Sequence, residues 1–182
     1  MVIEHGDALV PATVSEKGEV QIAIGPISLE PSVVPTQHPE PMIDYEVCGY
    51  IGTAVSPGTT HFVTFVEELP TDQEINEAGP KIENHELFPK RTSIIFTKQT
   101  GERELSIRIW ERGVGETLGC GTGSSSAAAV WMRKHQKSGQ VVVRNPGGDL
   151  LIEAESWDGK LLSTSTPNEP FSGKIELDPT TF

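Results

Sequence analysis

The glycine-rich stretch at residues 111–123 constrains the fold of this chain more than any other segment. Its sequence is ERGVGETLGCGTG, and it lies between two segments of different periodicity. Residues 105–110 alternate apolar and polar side chains, which is typical of a half-buried strand, whereas residues 124–137 predict a helix. The pattern therefore predicts a strand, a glycine-rich turn and a helix, with Cys120 at the turn.

The position of Cys120 predicts an anion site that contains a thiol. Nearby glycines permit positive φ angles and a close approach of the backbone to a ligand. From Gly121 onward, the first helix amides lack partners inside the helix, and together with the helix dipole they favour a bound anion. The same environment favours the thiolate, so we expect a lowered pKa for Cys120. The alternative is a purely structural cysteine.

The charge and hydrophobicity of the chain exclude several classes of protein. A net charge of −12 over 182 residues disfavours binding to nucleic acid or to an anionic membrane surface. No segment has the roughly 18 consecutive apolar residues of a membrane span, and the N-terminus does not have the pattern of a signal peptide. The two cysteines make no disulfide framework, so we expect a cytoplasmic, reduced protein.

Short alternating segments predict most of the secondary structure. The predicted strands cover residues 8–14, 19–24, 45–52, 61–66, 92–97, 105–110, 140–144, 150–154, 160–164 and 171–177. Frequent prolines exclude a regular helix from residues 25–44. Short helices are predicted at 71–78 and at 81–87, and Thr71 and Glu74 can form a capping box at the start of the first one. Gly139 is the expected C-cap of the main helix. Many short strands and one dominant helix predict an α+β fold.

The glycine-rich stretch and the helix of small residues after it resemble the signature of the diaminopimelate epimerase family. This family comprises cofactor-independent epimerases that use two cysteines in lysine and peptidoglycan-precursor synthesis. Further similar segments follow in the order of the family, namely VSPGTTH at 55–61, IENHELFPKRT at 82–92 and NPGG at 145–148. The resemblance covers nearly the whole chain, but only about the C-terminal half or more of a full-length member.

The resemblance implies an antiparallel or mixed barrel-like sheet wrapped around one central helix, with the active site at the N-terminus of that helix. A full-length member has two such domains that face each other, and each provides one cysteine. Residues 1–170 would form the C-terminal type of domain. Residues 171–182 would form a final strand and tail that return to the N-terminal domain. No cofactor and no metal are implied.

The resemblance also implies roles for individual residues. Cys120 matches the second catalytic cysteine, which exchanges the α-proton of diaminopimelate between its LL and meso forms. The other matched catalytic positions are Glu111 and His61. The matched substrate-binding positions are Arg112 for the distal carboxylate, Gly121 and Thr122 for the proximal carboxylate, and Thr59 and Ser93. The alternatives are a surface ion pair at 111–112, a structural histidine, and an ordinary first-turn helix residue at Thr122.

Two substrate-binding positions depart from the family pattern. Thr59 and Ser93 stand where the family has asparagines, and Ile95 stands where it has a glutamate. Hydroxyl side chains are shorter and lack the paired donor and acceptor of an amide. A pocket for the second amino-acid centre of diaminopimelate would be loosened by these changes. An epimerase or racemase of another amino acid is therefore an alternative.

The chain does not contain the Met-Cys-Gly-Asn-Gly turn that carries the first cysteine of the family. Cys48 lies in a predicted strand, and we expect it to be an inert, half-buried thiol. Three explanations remain open for the missing half. The chain is a fragment of a normal enzyme, it is completed by a separate N-terminal domain or a homodimer partner, or it is a relic that binds an amino acid without turnover.

Overall fold

A computed structural model of the protein describes residues 2–5, 8–174 and 176. Within these residues a 12-stranded sheet and two helices form the fold. The strands are β1 (Val2–His5), β2 (Ala8–Val14), β3 (Val20–Ile24), β4 (Tyr45–Val47), β5 (Tyr50–Val55), β6 (His61–Phe65), β7 (Ser93–Gly101), β8 (Glu104–Glu111), β9 (Gly115–Thr117), β10 (Gly139–Asn145), β11 (Gly148–Ala154) and β12 (Leu161–Ser165). The helices are α1 (Asp72–Glu83) and α2 (Gly121–His135). The predicted α+β class is confirmed.

The sheet has the strand order β1-β2-β3-β12-β11-β10-β8-β7-β6-β5-β4, and β9 pairs with β8 outside this path. The pairs β6–β7 and β8–β10 are parallel, and the other pairs of the described strands are antiparallel. A helix connects each parallel pair, as such a crossover requires. Helix α2 contacts β6, β7, β8, β10, β11 and β12, so the sheet curves around it. This confirms the predicted barrel-like sheet around a central helix.

The enclosed position of α2 explains why its sequence consists largely of small residues. Its residues from 123 to 132 are all buried. A Cβ atom added at Gly123 would lie only 2.9 Å from Cδ1 of Ile95 on β7. Because protein interiors are close-packed, a larger side chain there would push the helix away from the sheet. This burial agrees with the central position that the resemblance implies for the helix.

The ends of α2 differ from the predicted ends. The helix begins at Gly121 rather than at residue 124, and Cys120 is its N-cap. It ends at His135, and its C-cap Gln136 has a left-handed φ of 51°. The prediction of Gly139 as the C-cap is wrong, because Lys137 N already closes the helix by donating to Met132 O.

The central strands β6 and β7 are buried on both faces, and this gives the fold two hydrophobic clusters. Val63 and Ile95 face the cluster around α2. Phe62 and Ile94 face a second cluster under α1, which contributes Ile75 among other residues. Successive side chains of a strand point to opposite faces, so each strand serves both clusters. The strand ends that carry the candidate site are therefore held in place from both sides.

Helix α1 replaces the two short helices predicted at 71–78 and 81–87. Its predicted capping box is confirmed, since Thr71 and Glu74 bond reciprocally at the N-terminus. The helix then continues through Pro80 to Glu83. Packing against Trp110 explains this continuity. The contact is so close that a Cβ atom added at Gly79 would lie 2.4 Å from the Trp110 ring. The glycine thus allows α1 to lie against β8.

The predicted strand at 45–52 is two strands joined by a tight turn. Cys48 and Gly49 form this turn with φ angles of 53° and 85°. Two-residue hairpins favour positive φ at both positions because the turn then matches the twist of the strands. Cys48 is exposed, so the prediction of a half-buried strand thiol is wrong. Strand β1, which pairs with β2, was not predicted.

The C-terminal segment is described only in part. Residues 171–174 and 176 have no regular secondary structure. The remainder of the strand predicted at 171–177, and of the tail at 171–182, lies outside the described residues. The predicted division at residue 170 stays a prediction.

Candidate active site

The glycine-rich stretch places Glu111 and Arg112 at the end of β8. The chain turns at 112–114, where Val114 N donates to Glu111 O at 3.0 Å and Gly113 has a φ of 77°. Strand β9 then runs back along β8, with Glu111 paired to Gly115. From β9 the chain reaches Cys120 through a short loop. Both ends of the predicted strand–turn–helix unit therefore come close together.

Cys120 caps α2 with its own side chain. Its sulfur accepts a hydrogen bond from Gly123 N at 3.4 Å and lies 3.2 Å from Thr122 Oγ1. Ser124 N donates to Cys120 O, which is the first hydrogen bond of the helix. The amides of Gly121 and Thr122 precede this bond and have no acceptor within the helix. The sulfur therefore lies beside backbone amides that are available to an anion.

His61 is connected to the sulfur through Thr122. Its Nδ1 lies 2.8 Å from Thr59 O, and because a carbonyl oxygen only accepts, Nδ1 carries the proton. Burial is the main cause that lowers the pKa of His61 to about 4, so the ring is neutral at pH 7. Its Nε2 then accepts from Thr122 Oγ1 at 3.4 Å. The threonine oxygen is left to accept from the thiol of Cys120.

Glu111 lies close to the thiol and is itself held in place. Its Oε1 accepts a hydrogen bond from Thr117 Oγ1 at 2.6 Å. The carboxylate lies close enough to Cys120 for its charge to raise the pKa of the thiol. A carboxylate beside a thiol can accept its proton, so the two groups form a pair suited to acid–base chemistry.

The pKa of Cys120 is raised, and the prediction of a lowered pKa is wrong. Burial of the half-buried thiol is the largest cause, and the charge of Glu111 adds to it. Hydrogen bonds from Thr122 and from Gly123 N act in the opposite direction but are weaker. The sequence showed the helix N-terminus, but it did not show how far the fold withdraws the sulfur from water.

Arg112 and Ser93 lie at the same end of the sheet. Ser93 is opposite His61 in the parallel β6–β7 pair, and its hydroxyl accepts from Arg112 N at 3.1 Å. The Arg112 side chain is exposed, and its guanidinium donates to Lys90 O at 3.1 Å. Thr59 is exposed just before β6. The structure thus brings the predicted site residues together where β6 and β7 begin and β8 ends.

A surface cavity of about 370 Å³ opens beside the sulfur. Cys120 and Gly121 line it together with Ile22 and Ser163 from neighbouring strands. The volume is suitable for a small molecule. A larger cavity of about 550 Å³, lined by Arg133 and Lys134, lies at the other end of α2 and contains none of the predicted site residues.

Two residues that support the site were not singled out in the sequence. Thr117 orients Glu111. Glu83 accepts hydrogen bonds from Trp110 and from the backbone of Gly113. No local signal for Glu83 was available, because the helix predicted at 81–87 would place this acidic residue in a first turn, where the helix dipole favours it.

The described part of the chain lacks two kinds of feature. No group of at least three His, Cys, Asp or Glu side chains is placed to hold a metal ion there. Neither of its helices has the length and apolar character needed to cross a membrane.

Comparisons with known proteins identify the family. The family model for diaminopimelate epimerase matches residues 53–168. The diaminopimelate epimerase of Azotobacter vinelandii is 32% identical over 96% of this chain and 64% of its own length. That of Moorella thermoacetica is 36% identical over 92% of this chain and 63% of its own length. The chain therefore spans less than two thirds of these relatives.

Solved structures with the same fold have more distant sequences. A probable proline racemase from Agrobacterium radiobacter, 14% identical, matches 94% of this chain and 58% of its own with a TM-score of 0.57. A predicted epimerase from Pseudomonas aeruginosa, 13% identical, matches 91% of this chain and 62% of its own with a TM-score of 0.53. By its sequence matches and its fold, this chain belongs to the diaminopimelate epimerase family.

Proposed function

We propose that this chain carries one half of the active site of a diaminopimelate epimerase. Such an enzyme interconverts LL- and meso-diaminopimelate by two-base transfer of the α-proton, without a cofactor. The observation that carries the proposal is the position of Cys120, whose sulfur lies beside the first amides of α2 and next to Glu111. We also place the enzyme in the cytoplasm, because a reactive thiol is kept reduced there.

The raised pKa of Cys120 suits this reaction. The α-proton of an amino acid is a very weak acid, so its removal needs a strong base held away from water. A half-buried thiolate with a raised pKa is a stronger base than a solvated one. Glu111 takes the thiol proton, the thiolate removes the α-proton, and an acid on the opposite face of Cα delivers a proton to Cα. In the reverse direction the thiol returns its proton to Cα, and Glu111 returns its proton to the sulfur, so no net proton is gained or lost in the cycle.

The substrate carboxylates have separate partners in this proposal. The amides of Gly121 and Thr122 and the dipole of α2 bind the proximal carboxylate and stabilise the charge that develops on it. The exposed guanidinium of Arg112 binds the distal carboxylate through two parallel hydrogen bonds. Thr59, which is exposed just before β6, contributes a hydroxyl to the edge of the proposed substrate site. Ser93 assists mainly by accepting from the Arg112 backbone.

Inversion at Cα requires a second base on the opposite face. The chain has two cysteines, and Cys48 lies in the exposed β4–β5 turn rather than at a helix N-terminus. We therefore propose that a second lobe supplies the other cysteine. That lobe belongs to a longer polypeptide, to a separate one or to a homodimer partner.

A second candidate function is an epimerase or racemase of a different amino acid. The replacement of two family asparagines by Thr59 and Ser93 favours it, since the hydroxyl of Ser93 is engaged with Arg112 N. A chain that binds an amino acid without turnover is the non-catalytic alternative. The range of substrates distinguishes an epimerase or racemase of another amino acid from a diaminopimelate epimerase. Exchange of the α-proton distinguishes either enzyme from a chain that only binds an amino acid.

The test is deuterium incorporation at Cα of LL-diaminopimelate in D₂O, followed by NMR. With only one base, the chain alone is expected to exchange the α-proton of one configuration without inverting it. Adding the N-terminal domain of a full-length relative should restore inversion. Cys120→Ser should abolish exchange, while Cys48→Ser is the matched control and should leave it unchanged. Undiminished exchange in Cys120→Ser would refute the catalytic assignment.

A further inference from the structure

The buried carboxylate of Glu83 is the most heavily bonded acidic group near the site that the mechanism does not use. It is the last residue of α1, and its side chain is only 7% exposed. Its Oε2 accepts from Trp110 Nε1 at 2.7 Å. Its Oε1 accepts from Gly113 N at 2.8 Å and from the Arg91 guanidinium at 3.0 Å. These bonds connect the end of α1 to β8 and to the turn after β8.

The location of Glu83 is unfavourable unless these bonds compensate for it. A carboxylate at a helix C-terminus meets the negative end of the helix dipole. Burial of a charge requires a partner and further hydrogen bonds. Arg91 supplies the opposite charge, and the other two donors satisfy the remaining oxygen lone pairs. The group is therefore built into the structure around the turn at 112–114.

The turn is held from two sides, and Arg112 lies between the two contacts. Glu83 binds Gly113 N on one side, and Ser93 Oγ binds Arg112 N on the other. Gly113 has a left-handed φ of 77°. Glycine can adopt many other backbone conformations, so this one is kept only if the turn is supported. The Arg112 side chain itself is exposed. The direction in which its guanidinium leaves the turn thus depends on how the backbone is fixed, together with the hydrogen bond that it donates to Lys90 O at 3.1 Å.

We infer that Glu83 is a positioning residue: its buried carboxylate fixes the turn at 112–114 so that Arg112 points at the distal carboxylate of the substrate. The inference rests on the proposed function, in which Arg112 binds that carboxylate. Glu83 does not touch the substrate. Its effect is selective, because it acts on the part of the site that separates a dicarboxylic diamino acid from one that lacks the distal carboxylate.

The test compares the binding of meso-diaminopimelate and lysine to the chain by calorimetry. Lysine retains the proximal amino-acid group but lacks the distal carboxylate. Glu83→Gln should weaken diaminopimelate binding by about tenfold, the order of one hydrogen bond to a charged group, and should leave lysine binding unchanged. Glu77→Gln, an exposed position on the same helix, is the matched control and should change neither affinity.

Each result of this test either supports or overturns the role proposed for Glu83. Equal affinity of wild type and Glu83→Gln for diaminopimelate would overturn the inference alone, as would an equal loss for both ligands. A wild-type chain that binds neither ligand would overturn the proposed function and the inference with it. If Glu83→Gln does not fold, Gly113→Ala disturbs the same turn from its exposed side and should produce the same selective loss. Unchanged selectivity in that variant would refute the inference.

Discussion

Thr122→Val should raise the pKa of Cys120, because the hydroxyl of Thr122 is the strongest group that lowers it. The oxygen lies 3.2 Å from the sulfur and 3.4 Å from His61 Nε2. When the thiol ionises, the hydroxyl turns from the histidine to the sulfur and donates to it. Valine has the same shape but cannot donate, so the thiolate loses this bond while the packing is kept.

The size of the effect follows from the bond that is lost. A hydrogen bond to a charged group contributes about 1.5–3 kcal/mol, and a pKa unit corresponds to about 1.4 kcal/mol. The hydroxyl gives up His61 to make the sulfur contact, so the lower value applies. We expect a rise of about one pKa unit. At a fixed pH below the pKa, the thiolate fraction and the rate of alkylation fall about tenfold.

The assay is the pH profile of iodoacetamide alkylation, measured by intact mass in a Cys48→Ser background so that Cys120 is the reacting thiol. Glu111→Gln is the companion variant, because it removes a negative charge that raises the pKa. Its profile should shift to lower pH. The two variants must therefore move in opposite directions. A shift of both to the same side, or an unchanged profile in Thr122→Val, would refute the described electrostatics.

Two further predictions concern stability. The pKa of His61 is depressed to about 4, so below pH 6.5 the unfolded chain binds more protons than the folded chain. About 3 kcal/mol of stability should therefore be lost as pH falls from 6.5 to 4. His61→Gln should lack this component, and parallel profiles of urea-unfolding stability against pH for the two proteins would contradict the prediction. Gly79→Ala would place a Cβ atom 2.4 Å from the Trp110 ring. Although alanine has the better helix propensity, the variant should be less stable by about 1–3 kcal/mol in thermal unfolding. A higher melting temperature would show that α1 shifts freely.

The segments that were predicted correctly are those in which local pattern and final environment agree. The strands β2 and β3, the capping box of α1 and the small-residue helix α2 belong to this group. Most strands showed alternation, although β6 and β7 are buried on both faces. The roles of the site residues came from the resemblance to a family rather than from periodicity.

The incorrect predictions share a physical cause, namely contacts and burial that arise only in the folded chain. Helix α1 runs through Gly79 and Pro80 because Trp110 packs against the glycine. Cys48 lies in a turn because β4 and β5 pair with each other. The pKa of Cys120 depends on burial and on Glu111, nine residues earlier in the chain.

The sequence by itself determined the strand–turn–helix unit around Cys120, because glycine spacing, alternation and a run of small residues are local properties. The tertiary structure alone decided the chemical state of that sulfur and the support of Arg112. Burial, the approach of the Glu111 carboxylate and the hydrogen bonds of Glu83 arise only when β8, α1 and α2 pack together. Electrostatic energies depend on distance and on exclusion of water, and both are properties of the folded chain.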